Sequence, residues 1–217
     1  EMPFNPANLR AIPEMAAEAH RRGLKFGAWA AAYSTYPRGS NARKPGYQWA
    51  KDISRSTGAI RDLDFISLLE PKRVDHLAAF VAQMQSDPNV DYVGLDYMRS
   101  DRGGYEMVDR FTSEMPLRLP AGFSGWSQTR RWAYVAGKIE KEWQTDPRFY
   151  DAWNWWRAHL GAGIVRSIIE RAELKKPLWI FVLSWWHGKQ HGQDPIMFTD
   201  AGTALLCPML YQVPNRA

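Results

Sequence analysis

Val93-Gly94-Leu95-Asp96-Tyr97-Met98-Arg99 is a short apolar run that stops at a carboxylate. Asp91 and Tyr92 lead into it, and the turn-rich Ser100-Asp101-Arg102-Gly103-Gly104 follows. β-Branched and aromatic residues around an interior Gly read as a buried strand. A charge at the end of such a strand is costly unless it is paired, hydrogen-bonded or used in chemistry. In parallel α/β folds the C-terminal strand ends are where chemistry is placed. A carboxylate that only caps the next loop, or pairs with Arg99, accounts for the strand equally well.

Working upstream, Glu70-Pro71 opens a helix over 72–86 with Leu77, Phe80, Val81 and Met84 on its apolar face. Asp87-Pro88-Asn89 ends it. Residues 63–69 (LDFISLL) read as a short strand or extended segment. Residues 34–60, rich in Ser, Pro, Gly, Arg and Lys around Tyr36, Tyr47 and Trp49, read as a long loop suited to contacting substrate. Before it, Leu9, Ile12, Ala16 and Ala19 predict an amphipathic helix over 7–22, stopped by Gly23. Residues 24–33 (LKFGAWAAAY) then predict a buried strand.

Downstream, residues 100–126 read as irregular, long enough for an active-site flap. Helices are predicted over 127–145, with Trp132, Val135, Ala136, Ile139 and Trp143 at helical spacing, and over 151–174. The second carries Trp153, Trp155, Trp156, Ile164, Ile168 and Ile169, with Gly161 and Gly163 weakening its middle. Residues 178–185 (LWIFVLSW) are apolar throughout, as for a strand covered on both faces. A short helical turn or loop over 195–203 precedes a last strand over 204–211, in which Pro208 is unusual. Helices alternating with buried strands make the class α/β with a parallel sheet.

Composition narrows the function. Of 217 residues, 45% are hydrophobic and 24% charged, as in ordinary globular proteins. Eleven Trp, nine Tyr and nine Phe are not ordinary. Trp faces stack on the axial C–H groups of sugars, so an aromatic α/β chain leans toward carbohydrate. The net charge of +5 is scattered over pairs such as Arg21-Arg22, Arg130-Arg131 and Lys175-Lys176, with no nucleic-acid-reading motif. Cys207 is the only cysteine, which excludes an intrachain disulfide and a Cys-based metal site. No apolar run of transmembrane length and no signal peptide is visible, so no membrane insertion is expected. The compartment stays open, with a secreted or periplasmic location in view.

The strand ends supply one polar and aromatic set: Trp29 and Tyr33; Asp96, Tyr97 and Arg99; Trp185, Trp186 and His187, with Gln193 and Asp194 shortly after; then Tyr211 and Gln212. A rim of this kind fits a polar, ring-shaped ligand. Glycoside hydrolysis needs two carboxyl groups flanking the scissile bond. Asp96 is the candidate nucleophile or charge stabiliser, with Arg99 or Tyr97 holding it ionised. Asp194 is the first choice of partner, ahead of Glu70 and Asp101. Each has a plainer reading: Asp194 before Pro195 and Glu70 before Pro71 as helix N-caps, Asp101 as a turn residue. His187, His191 and Asp194 are too few, on a Gly-rich segment expected not to be helical, to define a metal site. No cofactor is expected. There is no GxSxG, P-loop or GxGxxG.

Four passages in order resemble the bacterial glycoside-hydrolase-like TIM-barrel family, relatives of the α-amylase type of barrel. They are residues 18–29 (EAHRRGLKFGAW), Glu70-Pro71 with the helix to Met84, residues 91–99 (DYVGLDYMR), and Gln193-Asp194 with residues 207–211 (CPMLY). The most specific is GLDYMR. The resemblance covers most of the chain outside 100–150, which is longer and more aromatic than the family pattern. Glu70 stands where the family commonly has Asn. The resemblance implies a (β/α)8 barrel, hydrolysis of glycosidic bonds in an oligo- or polysaccharide, and Asp96 as the matched acidic residue. Barrel closure takes eight strands. Four, or at most five, are visible, so residues 1–217 are expected to form one incomplete barrel domain with an aromatic-rich insertion at about 100–150. Substrate platforms would be Trp29, Tyr33, Tyr97, Trp185, Trp186 and Tyr211, with Arg99, His187 and Gln193 as polar contacts. The rival is a sugar-binding or scaffold barrel without catalysis, and a weaker one is a metal-dependent hydrolase.

Overall fold

The computed structural model describes residues 4–34, 46–54, 56–100, 103–141, 144 and 147–210, without the side chains of 185–187. Helix α1 (Pro6–Arg21) starts at Asn5, whose side chain accepts from the Ala7 N–H at 2.9 Å, and stops at Gly23 with φ 71°. Strand β1 (Gly27–Ala31) follows, then β2 (Trp49–Ile53), β3 (Ile60–Ile66), α2 (Pro71–Ser86) and β4 (Tyr92–Asp96). After β4 come α3 (Val108–Glu114), α4 (Gln128–Glu140), α5 (Pro147–Arg171), β5 (Leu178–Leu183), α6 (Trp185–Gln190), α7 (Pro195–Asp200) and β6 (Leu205–Met209).

Four strands form one parallel sheet in the order β1-β4-β5-β6, the order in which the chain makes them. Crossovers of one hand between strands laid down in strict order put every crossover helix on the same face. Burial alternates accordingly. Ala28, Ala30, Val93, Leu95, Leu178, Ile180 and Val182 are all at most 6% exposed, under α2 against β1 and β4, and α5 against α2. Residues Leu77, Phe80, Val81 and Met84 of α2 are buried, as their spacing predicts. Each such side chain contributes about 1.5–3 kcal/mol by leaving water.

The opposite face differs from expectation. Strand β5 is not covered on both sides. Leu178, Ile180 and Val182 are buried, while Trp179, Phe181 and Leu183 are half-buried. Trp29, 48% exposed, and Leu205, 49% exposed, share this face. Pro208 is tolerated because β6 is the last strand of the sheet among the described residues.

Two loop readings are corrected. Residues 34–60 hold β2, and β3 begins at Ile60, so the 63–69 strand pairs antiparallel with β2 and stays outside the parallel sheet. The hairpin is tied to the end of β1 by a bridge between Ser34 and Phe65 and by Ile66 N–H donating to Tyr33 O at 2.8 Å. Residues 100–126 contain α3 and two short 3-10 turns, at Tyr105–Met107 and Phe123–Gly125. The 100–150 segment has its own aromatic packing: Phe111 meets Trp153 edge-on at 4.9 Å, and Tyr105 stacks on Trp153 at 6.3 Å. Trp132, Trp153 and Trp156 are core residues, so part of the Trp content is packing rather than recognition.

Candidate functional site

The site is built where β4 ends. Backbone pairing carries two residues past β1, with Ala32 N–H donating to Asp96 O at 2.6 Å and Tyr33 N–H to Tyr97 O at 3.2 Å. Tyr97 then takes φ 52°, a left-handed conformation that a non-glycine residue adopts at a cost of about 1–3 kcal/mol. Arg99 N–H donates back to Tyr97 O at 2.8 Å and closes the turn. Strained backbone of this kind clusters at sites where a side chain must be aimed.

Asp96 shares a face with Gly94, because side chains two apart on a strand point the same way. Trp29 and Trp179 are the register partners of Gly94, and Ala31 is that of Asp96. Asp96 therefore stands on the half-open face, one row beyond Trp29, Gly94 and Trp179. The Trp179 indole lies across the bare backbone of Gly94, so close that a Cβ there would sit 2.5 Å from Cζ2 and 2.6 Å from Nε1. Phe181 meets Trp179 edge-on at 4.5 Å and Trp29 edge-on at 5.9 Å. The result is an aromatic floor with a carboxylate at its C-terminal edge.

Burial pushes the Asp96 carboxyl above the usual carboxylate range. The Tyr97 N–H, donating to Oδ1 at 2.6 Å, and the charge of Arg99 pull in the other direction. Arg99 is 7% exposed, with its guanidinium 5.0 Å from the Tyr97 ring centroid and 5.6 Å from that of Phe65. Its Nη1 reaches His191 Nδ1 at 3.4 Å. Arg157 of α5 donates from Nη1 to Ser100 Oγ at 2.7 Å, and from Nη2 to Asn154 Oδ1 at 2.6 Å and Gln190 O at 2.8 Å.

The other sequence candidates are placed as follows. Glu70 is the N-cap of α2. Its Oε1 accepts from Lys72 N–H at 2.9 Å and its Oε2 from Gln48 N–H at 2.5 Å, so both oxygens clamp backbone. Asp194 is the N-cap of α7, with Oδ1 accepting from Ile196 N–H at 2.9 Å and Met197 N–H at 3.0 Å. Gln193 is buried and braces the end of β5, accepting from Leu183 N–H at 2.9 Å and donating to Phe181 O at 3.3 Å. Its amide is turned to backbone rather than to the rim. Tyr33 is wholly buried, and burial pushes its hydroxyl upward. That placement removes it from the exposed platforms. Trp29 is available on the open face. Trp185, Trp186 and His187 open α6, so the segment expected to be non-helical is helical up to Gln190. Their side chains, and Tyr36, Asp101, Trp143, Tyr211 and Gln212, lie outside the described residues.

Trp179, Phe181, Arg157 and the Arg99–His191 contact are the parts that reading the sequence misses. The one available signal was Gly94, since Gly inside a strand marks close approach of another group. Glu106 is a second carboxyl pushed upward by burial, but it accepts from Lys51 N–H at 2.7 Å and Ser67 Oγ at 2.8 Å and locks the hairpin to the Tyr105–Met107 turn. Among the described residues no three His, Cys, Asp or Glu side chains group as metal ligands, and no helix is long and apolar enough to cross a membrane. No protein-family model matches the chain, and no curated protein matches it.

Proposed function

We propose that this chain is the working part of a carbohydrate-active hydrolase, with its parallel sheet an arc of a (β/α)8 barrel and Asp96 its nucleophile or charge-stabilising carboxylate. The observation that carries the reading is Asp96 itself. A buried carboxyl stands at the C-terminal end of a strand, beside a strained Tyr97 and a stacked Arg99, at the edge of the Trp29–Phe181–Trp179 floor. Strictly sequential strand order with helices on one face supports the barrel, because a doubly wound sheet reverses order at a switch point. The resemblance of the GLDYMR passage points the same way. In this reading Trp29 offers its face to a pyranose ring, and Asp96 stabilises or attacks the developing oxocarbenium centre. The substrate is an oligo- or polysaccharide.

A second reading has support of its own. Glu70 spends both oxygens on backbone, and Asp194 caps α7. Two of the three partner carboxylates are thus engaged, which favours a sugar-binding barrel without catalysis. Hydrolysis of a glycan panel by the full-length protein, compared with Asp96→Asn, separates the two. The hydrolase reading expects turnover that falls by 10³-fold or more, roughly the cost of losing an essential catalytic group. Glycan binding without turnover in both proteins establishes the binding module instead. Equal turnover in both removes Asp96 from the chemistry.

A further inference from the structure

His191, weighed from the sequence only as a metal ligand, follows α6 at its C-cap. In the fold its Nδ1 lies between two groups of opposite demand. Arg99 Nη1, a donor, is 3.4 Å away, and Ser100 O, an acceptor, is 3.3 Å away. One ring nitrogen cannot serve both at once. Unprotonated, Nδ1 accepts from Arg99; protonated, it donates to Ser100 O and presents N–H to a cation. Among the described residues, the charged groups around this point come from each packed element. Arg99 arrives from the end of β4, Arg157 from α5 with its guanidinium on Ser100 Oγ and Gln190 O, and Lys189 of α6 is turned to Asp151 at 2.7 Å.

We propose that His191 is a positioning residue for the Asp96 site: its neutral ring, with the proton on Nε2, accepts from Arg99 and fixes the guanidinium against Tyr97 and Phe65, in place to act on Asp96. This rests on the reading of Asp96 as the catalytic carboxylate. Protonation of His191 removes the acceptor and sets two cations against each other, so Arg99 loses its fixed place and activity falls on the acid side.

Two measurements test it. Two-dimensional ¹⁵N NMR of the histidine rings in the full chain reads the tautomer without any assay. The expected result is a neutral His191 at pH 7 with Nε2 protonated. A proton on Nδ1, or a charged ring at pH 7, overturns the proposal. Kinetics supply the second arm. Asn at 191 places an amide oxygen near the position of Nδ1 and does not titrate. His191→Asn should therefore keep most of kcat and lose the acid limb assigned to His191, whereas His191→Leu should lower kcat by about 10- to 100-fold with little change in KM, the scale of a small misplacement at a reacting group. A His191→Leu enzyme with native kcat, beside an inactive Asp96→Asn, overturns the positioning role and leaves the Asp96 reading intact. A fully active Asp96→Asn sinks that reading, and the NMR result then decides the His191–Arg99 contact alone.

Discussion

Gly94 is where one hydrogen atom decides how the open face of the sheet is filled. The Trp179 indole occupies the space of a side chain at 94, Phe181 packs on that indole, and Trp29 packs in turn on Phe181. Gly94→Ala is expected to destabilise by about 1–3 kcal/mol, the usual cost of overpacking a filled site. In a Trp179→Ala background the same change should cost far less, giving a coupling of about 0.5–3 kcal/mol by double-mutant cycle in urea. Additive effects would show that the indole does not depend on Gly94. At this scale the sequence was half legible. Gly94 and Trp29 were visible as residue types, and Asp96 as a charge out of place. That Trp179 lies over Gly94 follows only from the β4–β5 register, which no pattern within either strand records.

Elements were easier to read than residues where burial is one-sided and local. The α2 periodicity and the apolar runs at β1, β4, β5 and β6 were legible because each repeats along its own segment. Strand β2 was not. Its five residues, Trp49–Ile53, carry Lys51 and Asp52, whose partners Asp62 and Arg61 lie on β3, so the pairing signal lies between strands. Caps were legible as alternatives, and their geometry permits a clean test. Asp194 binds two N–H groups of α7 through one oxygen, a role that Asn fills as well as Asp. Asp194→Asn should leave both stability and hydrolysis near native, and Asp194→Ala should cost about 1 kcal/mol in denaturant melts with hydrolysis per folded molecule retained. Loss of turnover in the stable Asn variant would restore Asp194 as the acid/base partner.

Across the whole molecule, the proposed site puts chemistry at one end of the sheet and leaves stability to the other, the division expected for a parallel α/β fold. Asp91 and Asp96 lie five positions apart, just before and at the end of β4, and their environments push them in opposite directions. Asp91 accepts from Lys25 Nζ, His20 Nε2 and Phe26 N–H, each at 2.8 Å, and these bonds, led by that of Lys25, hold it well below the usual carboxylate range. They tie α1 and the entry to β1 onto the start of β4. A depressed carboxylate stabilises the fold above its ordinary value of about 3.9, and that stability is lost as pH falls through the lower native value. Asp96 has the reverse sign. Its native value is raised, so its ionised form opposes folding at neutral pH, and the penalty disappears once pH falls below about 3.9. Asp91→Asn should therefore be less stable than the native chain at pH 7, with the gap closing below about pH 3.9. Asp96→Asn should be more stable at pH 7, its advantage fading as pH falls through the raised native value toward about 3.9. Urea melts from about pH 3 to pH 8, with ¹³C carboxyl titration to assign each group, read both curves. Parallel pH profiles for the two variants would contradict the division. Opposite slopes would locate the strain at the end of β4 and the anchor at its start, the trade of stability for function expected where a carboxylate is kept for chemistry.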